Sequence, residues 1–270
     1  MSLVTSDWLE NNLDKVKIID CSWHMPDVKR NAYEEYLQEH IPNAVFFDLD
    51  KYSDANSDLP HMLPNTITWK EIVSNLGISN NDRIVIYDNS DVLSSCRCWY
   101  NFIYFGHDPK LVSVLNGGLK KWIIENKAVD NSKIKIKKSE YTSKENINLV
   151  KNINQIKLNI NLNEFFVIDA RSRERFEGKV PDPRKNVRSG SIPDSYCLPF
   201  KEIINEDNTF KKKDEISKKF NQIIDTKHNN IVFSCGSGVT ASVLALAYSL
   251  VNNKYSPTIY DGSWAEYGKI

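Results

Sequence analysis

The chain has 270 residues, enough for one large or two medium domains with an ample core in either case. Lysine plus arginine equals aspartate plus glutamate at 35 each, so the charge balance supports neither a nucleic-acid surface nor a strongly acidic partner. The five cysteines, Cys21, Cys96, Cys98, Cys197 and Cys235, are odd in number and irregular in spacing, which makes a poor disulfide framework and points to a reducing compartment. No apolar run reaches the length of a membrane span. The first ten residues lack the basic stretch and apolar core of a secretory signal, and acidic residues at 7, 10 and 14 count against a mitochondrial transit peptide. The expectation is a soluble cytoplasmic protein.

In chain order, Ser6 opens a short helix with an acidic first turn, and 16–21 reads as a strand that carries Asp20 at its end. Residues 32–39 are helical, His40-Ile41-Pro42-Asn43-Ala44 is a turn, and 45–47 is a second strand. A polar loop runs from 48 to about 65 and contains Pro60-His61-Met62-Leu63-Pro64. A helix over 68–76 is closed by Gly77. A strand over 83–88, a helix from about 94 to 105 and a strand over 111–115 follow, and Asn116-Gly117-Gly118 turns into another helix at Leu119. From about 130 the composition shifts to Lys, Asn, Ser and Ile. Lys133-Ile134-Lys135-Ile136-Lys137-Lys138 fits one edge strand whose lysines form a solvated face rather than a binding patch. Residues 131–158 are expected to form an interdomain linker.

The pattern then restarts. Asp20 pairs with Asp169, Ile41 with Ile192, Ile84 with Ile231 and Leu115 with Tyr260, at offsets of 149, 151, 147 and 145 residues. Four landmarks in one order at nearly one spacing mean a duplicated domain. Each copy alternates strands and helices, so the fold class is α/β: two tandem domains, 1–130 and 159–270, each a mainly parallel sheet flanked by helices.

The stretch 231–242 carries the chemistry. Ile231-Val232-Phe233 reads as a short buried strand, and the apolar positions from Ala241 to Val251 as a long helix. Cys235 stands between them, where free backbone N–H groups and a helix dipole favour an anion. Gly236 and Gly238 let the N–H groups converge into a nest, so a thiolate held there is a usable nucleophile at neutral pH. A phosphatase of the cysteine type needs an arginine six residues after the nucleophile, and that position is Ala241. Cys96-Arg97-Cys98 is too tight for a zinc knuckle and has no second Cys/His pair beside it, so no metal site is expected. In the first copy Asp88 falls at the position of Cys235. A carboxylate in such a nest mimics the bound anion and leaves that domain catalytically silent.

The loop 235–240, spelled Cys-Gly-Ser-Gly-Val-Thr, resembles the active loop of the rhodanese superfamily, and most closely that of its 3-mercaptopyruvate sulfurtransferase branch. Thiosulfate-preferring rhodaneses typically carry two basic residues where Gly236 and Ser237 stand. The resemblance covers essentially the whole chain. Asp169-Ala170-Arg171, Ile192-Pro193, the Cys235 loop and Tyr260-Asp261-Gly262-Ser263-Trp264 match the second domain of the two-domain members. His61-Met62-Leu63-Pro64 and Asn116-Gly117-Gly118-Leu119 match the first. One departure is Gly190-Ser191-Ile192-Pro193-Asp194, where the family usually reads Gly-His-Ile-Pro-Gly. It bears on local packing more than on mechanism.

This resemblance implies roles. Arg175 and Arg184 would hold the substrate carboxylate through paired hydrogen bonds, with Arg188 a substitute for either and Arg171 a structural ion-pair member. Asp50, His61 and Ser237 would form a proton-transfer chain, with His61 polarising Ser237. The backbone at Gly236, Gly238, Val239 and Thr240 would cradle the transferred sulfur. The implied activity moves sulfane sulfur from a small-molecule donor, 3-mercaptopyruvate, through a Cys235 persulfide to a thiol such as thioredoxin or a low-molecular-weight thiol, or to cyanide. Pyruvate leaves, and no metal or organic cofactor is needed. The alternatives are a thiosulfate sulfurtransferase and a silent rhodanese module that binds a partner or senses oxidants. No nucleic acid or membrane partner is expected.

Overall fold

The strand segments of the sequence are short apolar runs without alternation, the pattern of parallel strands covered on both faces. In the computed structural model, which describes residues 2–224 and 229–270, they build two five-stranded sheets. The chain divides into two units: Met1–Ala55, Leu63–Asn146 and Glu206–Thr209 in the first, and Asn56–Met62, Ile147–Asn205 and Phe210–Ile270 in the second.

The first unit runs β1 (Leu3–Val4), α1 (Ser6–Glu10), β2 (Lys17–Asp20), α2 (Ala32–Gln38), β3 (Ala44–Phe46), α3 (Thr66–Asn75), β4 (Ile84–Tyr87), α4 (Ser95–Tyr104), β5 (Val112–Leu115) and α5 (Gly118–Ile124). Every ladder is parallel, in the order β1-β5-β4-β2-β3. Asparagines start two of the helices: Asn31 and Asn65 accept from first-turn N–H groups of α2 and α3. Gly77 and Gly106, with φ of 71° and 84°, follow α3 and α4 in the left-handed conformation that ends a helix. One core cluster gathers Val4, Leu9, Ile18, Val85, Tyr87 and Trp122.

The second unit runs β6 (Val150–Lys151), α6 (Ile153–Leu162), β7 (Phe166–Asp169), α7 (Arg173–Phe176), β8 (Tyr196–Cys197), α8 (Lys213–Asn221), β9 (Ile231–Ser234), α9 (Val239–Val251), β10 (Ile259–Tyr260) and α10 (Ser263–Tyr267). Its sheet order, β6-β10-β9-β7-β8, repeats that of the first unit strand for strand, and it too is parallel throughout. The duplication expected from the four landmarks is therefore a duplication of topology. Helix α9 is apolar on every side and buried from Ala241 to Tyr248, as a central helix should be.

One difference from the sequence expectations has a plain cause. Residues 133–138 form no strand. The segment crosses the end of α3 instead of lying along a sheet edge: Ser139 N bonds Ser74 O at 3.0 Å, and Lys137 O lies 2.8 Å from where a Cβ on Gly77 would stand. Cys96 and Cys98 sit in the first turn of α4, which begins at Ser95. Among the described residues, no helix is long and apolar enough to cross a membrane.

Candidate active site

Strand β9 lies inside the second sheet, between β10 and β7. The chain leaves β7 towards β8 on one side and β9 towards β10 on the other, so the crevice beyond their carboxyl ends is a topological switch point, where open α/β sheets place ligands. Cys235 is the first residue past β9 and is only 2% exposed. Of the two loop glycines only Gly238, with φ of 79°, uses the left-handed region; it precedes the first residue of α9. The N–H groups of Val239 and Thr240 belong to the first turn of α9 and so have no intrahelical acceptor, which leaves them available to an anion.

A residue given no role by the sequence reading fixes the shape of this loop. Ser263 Oγ accepts from the N–H of Cys235 and of Gly238, both at 3.2 Å, and donates to Tyr260 O at 2.8 Å. Trp264 N and Ala265 N bond the carbonyls of Cys235 and Gly236, each at 3.0 Å. Ser263 itself is fully buried with φ of 50°, a conformation that costs free energy in a non-glycine residue and persists only when its surroundings enforce it. The signal was present in the repeat: Ser263 stands opposite Gly118, which has φ of 58° in the first copy.

His61 Nδ1 lies 2.9 Å from Ser237 Oγ. The histidine is 6% exposed, with φ of 60°, and belongs to the second unit through the segment Asn56–Met62. Asp50 belongs to the first unit, where its Oδ2 accepts from Trp23 Nε1 at 2.9 Å.

Arg175 lies in α7, whose N-cap Ser172 accepts from Arg175 N. Arg175 and Arg184 are joined through a carboxylate: Arg175 Nη2 bonds Asp182 Oδ2 at 2.7 Å, and Arg184 Nη1 bonds Asp182 Oδ1 at 3.2 Å. Burial works against the Asp182 charge, but the hydrogen bonds from Arg175 and Arg184 N, with the two positive charges, hold its carboxyl below the usual range. Arg184 reaches the Cys235 loop, where its Nη2 lies 2.9 Å from the place a Cβ on Gly236 would occupy. Arg188 is engaged elsewhere, bonding Tyr267 O and lying over the rings of Trp264 and Tyr267. Arg171 forms a buried ion pair with Asp169 at 2.7 Å and stacks on Trp264.

Cys21, Cys96 and Cys197 sit in surroundings hostile to a thiolate. Burial pushes the thiols of Cys21 and Cys96 well up, and that of Cys197 to about 12. In the first unit Asp88 follows β4 as Cys235 follows β9. Its own carboxylate accepts from Ser90 N at 2.9 Å and Ser95 N at 2.8 Å, so the nest of the first copy is filled from within. The second unit gathers a cysteine on an anion-favouring loop, a hydroxyl bonded to an imidazole, and a guanidinium beside the loop. That set can cleave a donor's sulfur from an anionic carrier and hold it on the cysteine.

Parallel sheets of order β1-β5-β4-β2-β3, each with a loop nest after its central strand, define the class, and the chain belongs to the rhodanese family: the rhodanese-like domain matches residues 5–125 and again 152–269. Among individual relatives, the chain is 39% identical to thiosulfate/3-mercaptopyruvate sulfurtransferase 1, mitochondrial, of Arabidopsis thaliana, over 98% of this chain and 75% of the relative. It is 35% identical to the 3-mercaptopyruvate sulfurtransferase of Mus musculus, over 98% and 91%. Its structure is similar to that of SseA from Escherichia coli, a 3-mercaptopyruvate sulfotransferase, with a TM-score of 0.86, 32% identity, and coverage of 98% of this chain and 99% of the other.

Proposed function

We propose that the chain is a sulfurtransferase that takes sulfur from 3-mercaptopyruvate and passes it to a thiol through a persulfide on Cys235. The observation that carries this reading is the pairing of Cys235, on its loop after β9, with the Arg184 guanidinium beside Gly236. The donor's carboxylate binds Arg175 and Arg184. The Cys235 thiolate attacks the donor sulfur, the carbon–sulfur bond breaks, and its electron pair leaves with pyruvate as the enolate. Ser237, bonded to His61, orients or supplies the proton near the carbonyl, and Asp50 is the proposed third member of that relay. The N–H groups of Gly236, Gly238, Val239 and Thr240 line the pocket for the outer sulfur, with Gly238 N shared with Ser263 Oγ. A second thiol, thioredoxin's or a small molecule's, then attacks the outer sulfur and regenerates Cys235 in a ping-pong cycle.

The five free cysteines suit a reducing compartment, and we assign the enzyme to the cytoplasm. The first domain, with Asp88 in its nest, carries no persulfide. Thiosulfate is the second candidate donor, a reading favoured by the Arabidopsis relative that is named for both substrates. The deciding experiment is the intact mass of the protein after exposure to mercaptopyruvate. A gain of one sulfur that a reductant removes, absent in Cys235→Ser, is the expected result; no adduct in the wild type would sink the assignment.

A further inference from the structure

Asp182 is an odd presence in an anion-binding cradle, because its carboxylate competes with the anion the cradle is meant to hold. Its side chain is 1% exposed, whereas those of Arg175 and Arg184 are 24% and 28% exposed. It takes one terminal nitrogen from each guanidinium, Nη2 of Arg175 and Nη1 of Arg184, and also accepts from Arg184 N at 3.1 Å. The rest of each donor fork stays open. Arg175 Nε is a buried donor without an acceptor among the described residues, and Arg184 turns Nη2 towards Gly236. Asp182 thus locks the two forks into one shape and lowers their joint charge from two to one.

We propose that Asp182 determines donor specificity, matching the cradle to a donor with a single carboxylate and discriminating against compact dianions such as thiosulfate. This rests on the reading that Arg175 and Arg184 bind the donor's anionic group. A monoanion brings the two arginines, Asp182 and ligand to zero charge. A dianion leaves one uncompensated negative charge in a half-buried site beside a carboxylate that cannot move away. Specificity here comes from a built-in repulsive element rather than from an added attraction, and the charge-assisted pairs supply the positioning.

The test compares Asp182→Asn, Asp182→Glu, Arg184→Ala and wild type on mercaptopyruvate and thiosulfate. In Asp182→Asn the ratio of kcat/KM for mercaptopyruvate over thiosulfate should fall by about tenfold or more, through KM rather than kcat. Asp182→Glu, which keeps the charge, should recover most of that ratio; a Glu variant that behaves like Asn would make shape the cause and overturn the proposal. An unchanged ratio in Asp182→Asn overturns it as well. If Arg184→Ala leaves both donors unaffected, it is the underlying carboxylate reading that fails. Should Asp182→Asn not fold, inhibition of the wild type decides: pyruvate should bind about tenfold more tightly than the dianion oxalate. Equal binding of the two would overturn the role given to Asp182.

Discussion

His61 Nδ1 and Ser237 Oγ are 2.9 Å apart, a hydrogen bond between residues separated by 176 positions in sequence. The histidine is buried, and its backbone is held in the left-handed conformation at φ of 60°, which persists only where the surroundings enforce it. Pyruvate must leave as an enolate that takes up a proton, whereas sulfite leaves thiosulfate as an already stable anion. His61→Ala should therefore lower kcat on mercaptopyruvate by roughly a hundredfold, with a much smaller effect on thiosulfate. Single-turnover rates on the two donors make the comparison. Equal losses on both would reduce His61 to a packing residue.

Cys235 is the cysteine placed on a loop nest. Cys96 is buried in the first turn of α4 with its thiol pushed well up. Cys235→Ser should abolish sulfur transfer, while Cys96→Ser and Cys98→Ser should retain it within a fewfold. Peptide mapping after brief iodoacetamide treatment should find Cys235 labelled first. Preferential labelling of Cys96 or Cys98 would contradict the pairing of Asp88 with Cys235.

The strands, the duplication and the loop at Cys235 were legible because each is a local pattern: apolar runs, repeated landmarks, and a cysteine followed by glycines. The landmarks Asp20 and Asp169 indeed end equivalent strands. What was not legible depends on the third dimension. Ser263 looked like part of a motif, yet its hydroxyl caps the Cys235 loop from 28 residues away. Asp182 stands two positions before Arg184 in sequence, and only the fold shows it bridging to Arg175. The alternation of Lys133 to Lys138 suggested a strand, but a strand needs a partner edge, and this segment is drawn across α3 instead.

Truncating either arginine of the cradle removes a charge-assisted hydrogen bond, about 1.5–3 kcal/mol, so kcat/KM on mercaptopyruvate should fall about 10- to 100-fold in Arg175→Ala or Arg184→Ala. Each variant leaves the buried Asp182 carboxylate one guanidinium partner, so the protein should stay folded with a modest drop in melting temperature. Unchanged kinetics with a lowered melting temperature would make them structural.

Asp20, at the end of β2, is 1% exposed, and burial raises its pKa from 3.8 to about 6. A carboxyl raised in the folded state contributes stability that is fully present below pH 3.8 and lost as the pH climbs to about 6. The loss amounts to roughly 3 kcal/mol. Asp20→Asn keeps an acceptor for Ser22 N, now at 2.9 Å, and carries no charge. Relative to wild type, its melting temperature should therefore be higher at pH 7.5 than the same comparison gives at pH 4.5. A difference independent of pH would show that Asp20 is not the titrating group.

The neutral loop positions Gly236 and Ser237 add to the donor preference proposed for Asp182. Thiosulfate is a compact dianion whose leaving sulfite keeps its charge near the attacked sulfur, so a loop serving it gains from cations beside the cysteine. Mercaptopyruvate carries its carboxylate farther out, towards Arg184, and its carbonyl needs a hydroxyl such as that of Ser237 near the sulfur. Wild type should accordingly run faster on mercaptopyruvate. Replacing Gly236-Ser237 with Arg-Lys should act twice over. It brings two cations to the loop, and the new Cβ at position 236 meets Arg184 Nη2 at 2.9 Å, so the guanidinium must swing away from the carboxylate site. It also removes the hydroxyl bonded to His61. The double variant should lose mercaptopyruvate activity by more than the roughly 10- to 100-fold of an arginine truncation, while thiosulfate activity holds or rises. Steady-state rates with both donors for both proteins make the measurement, and a wild type that is faster on thiosulfate would transfer the substrate assignment while leaving Cys235 as the nucleophile.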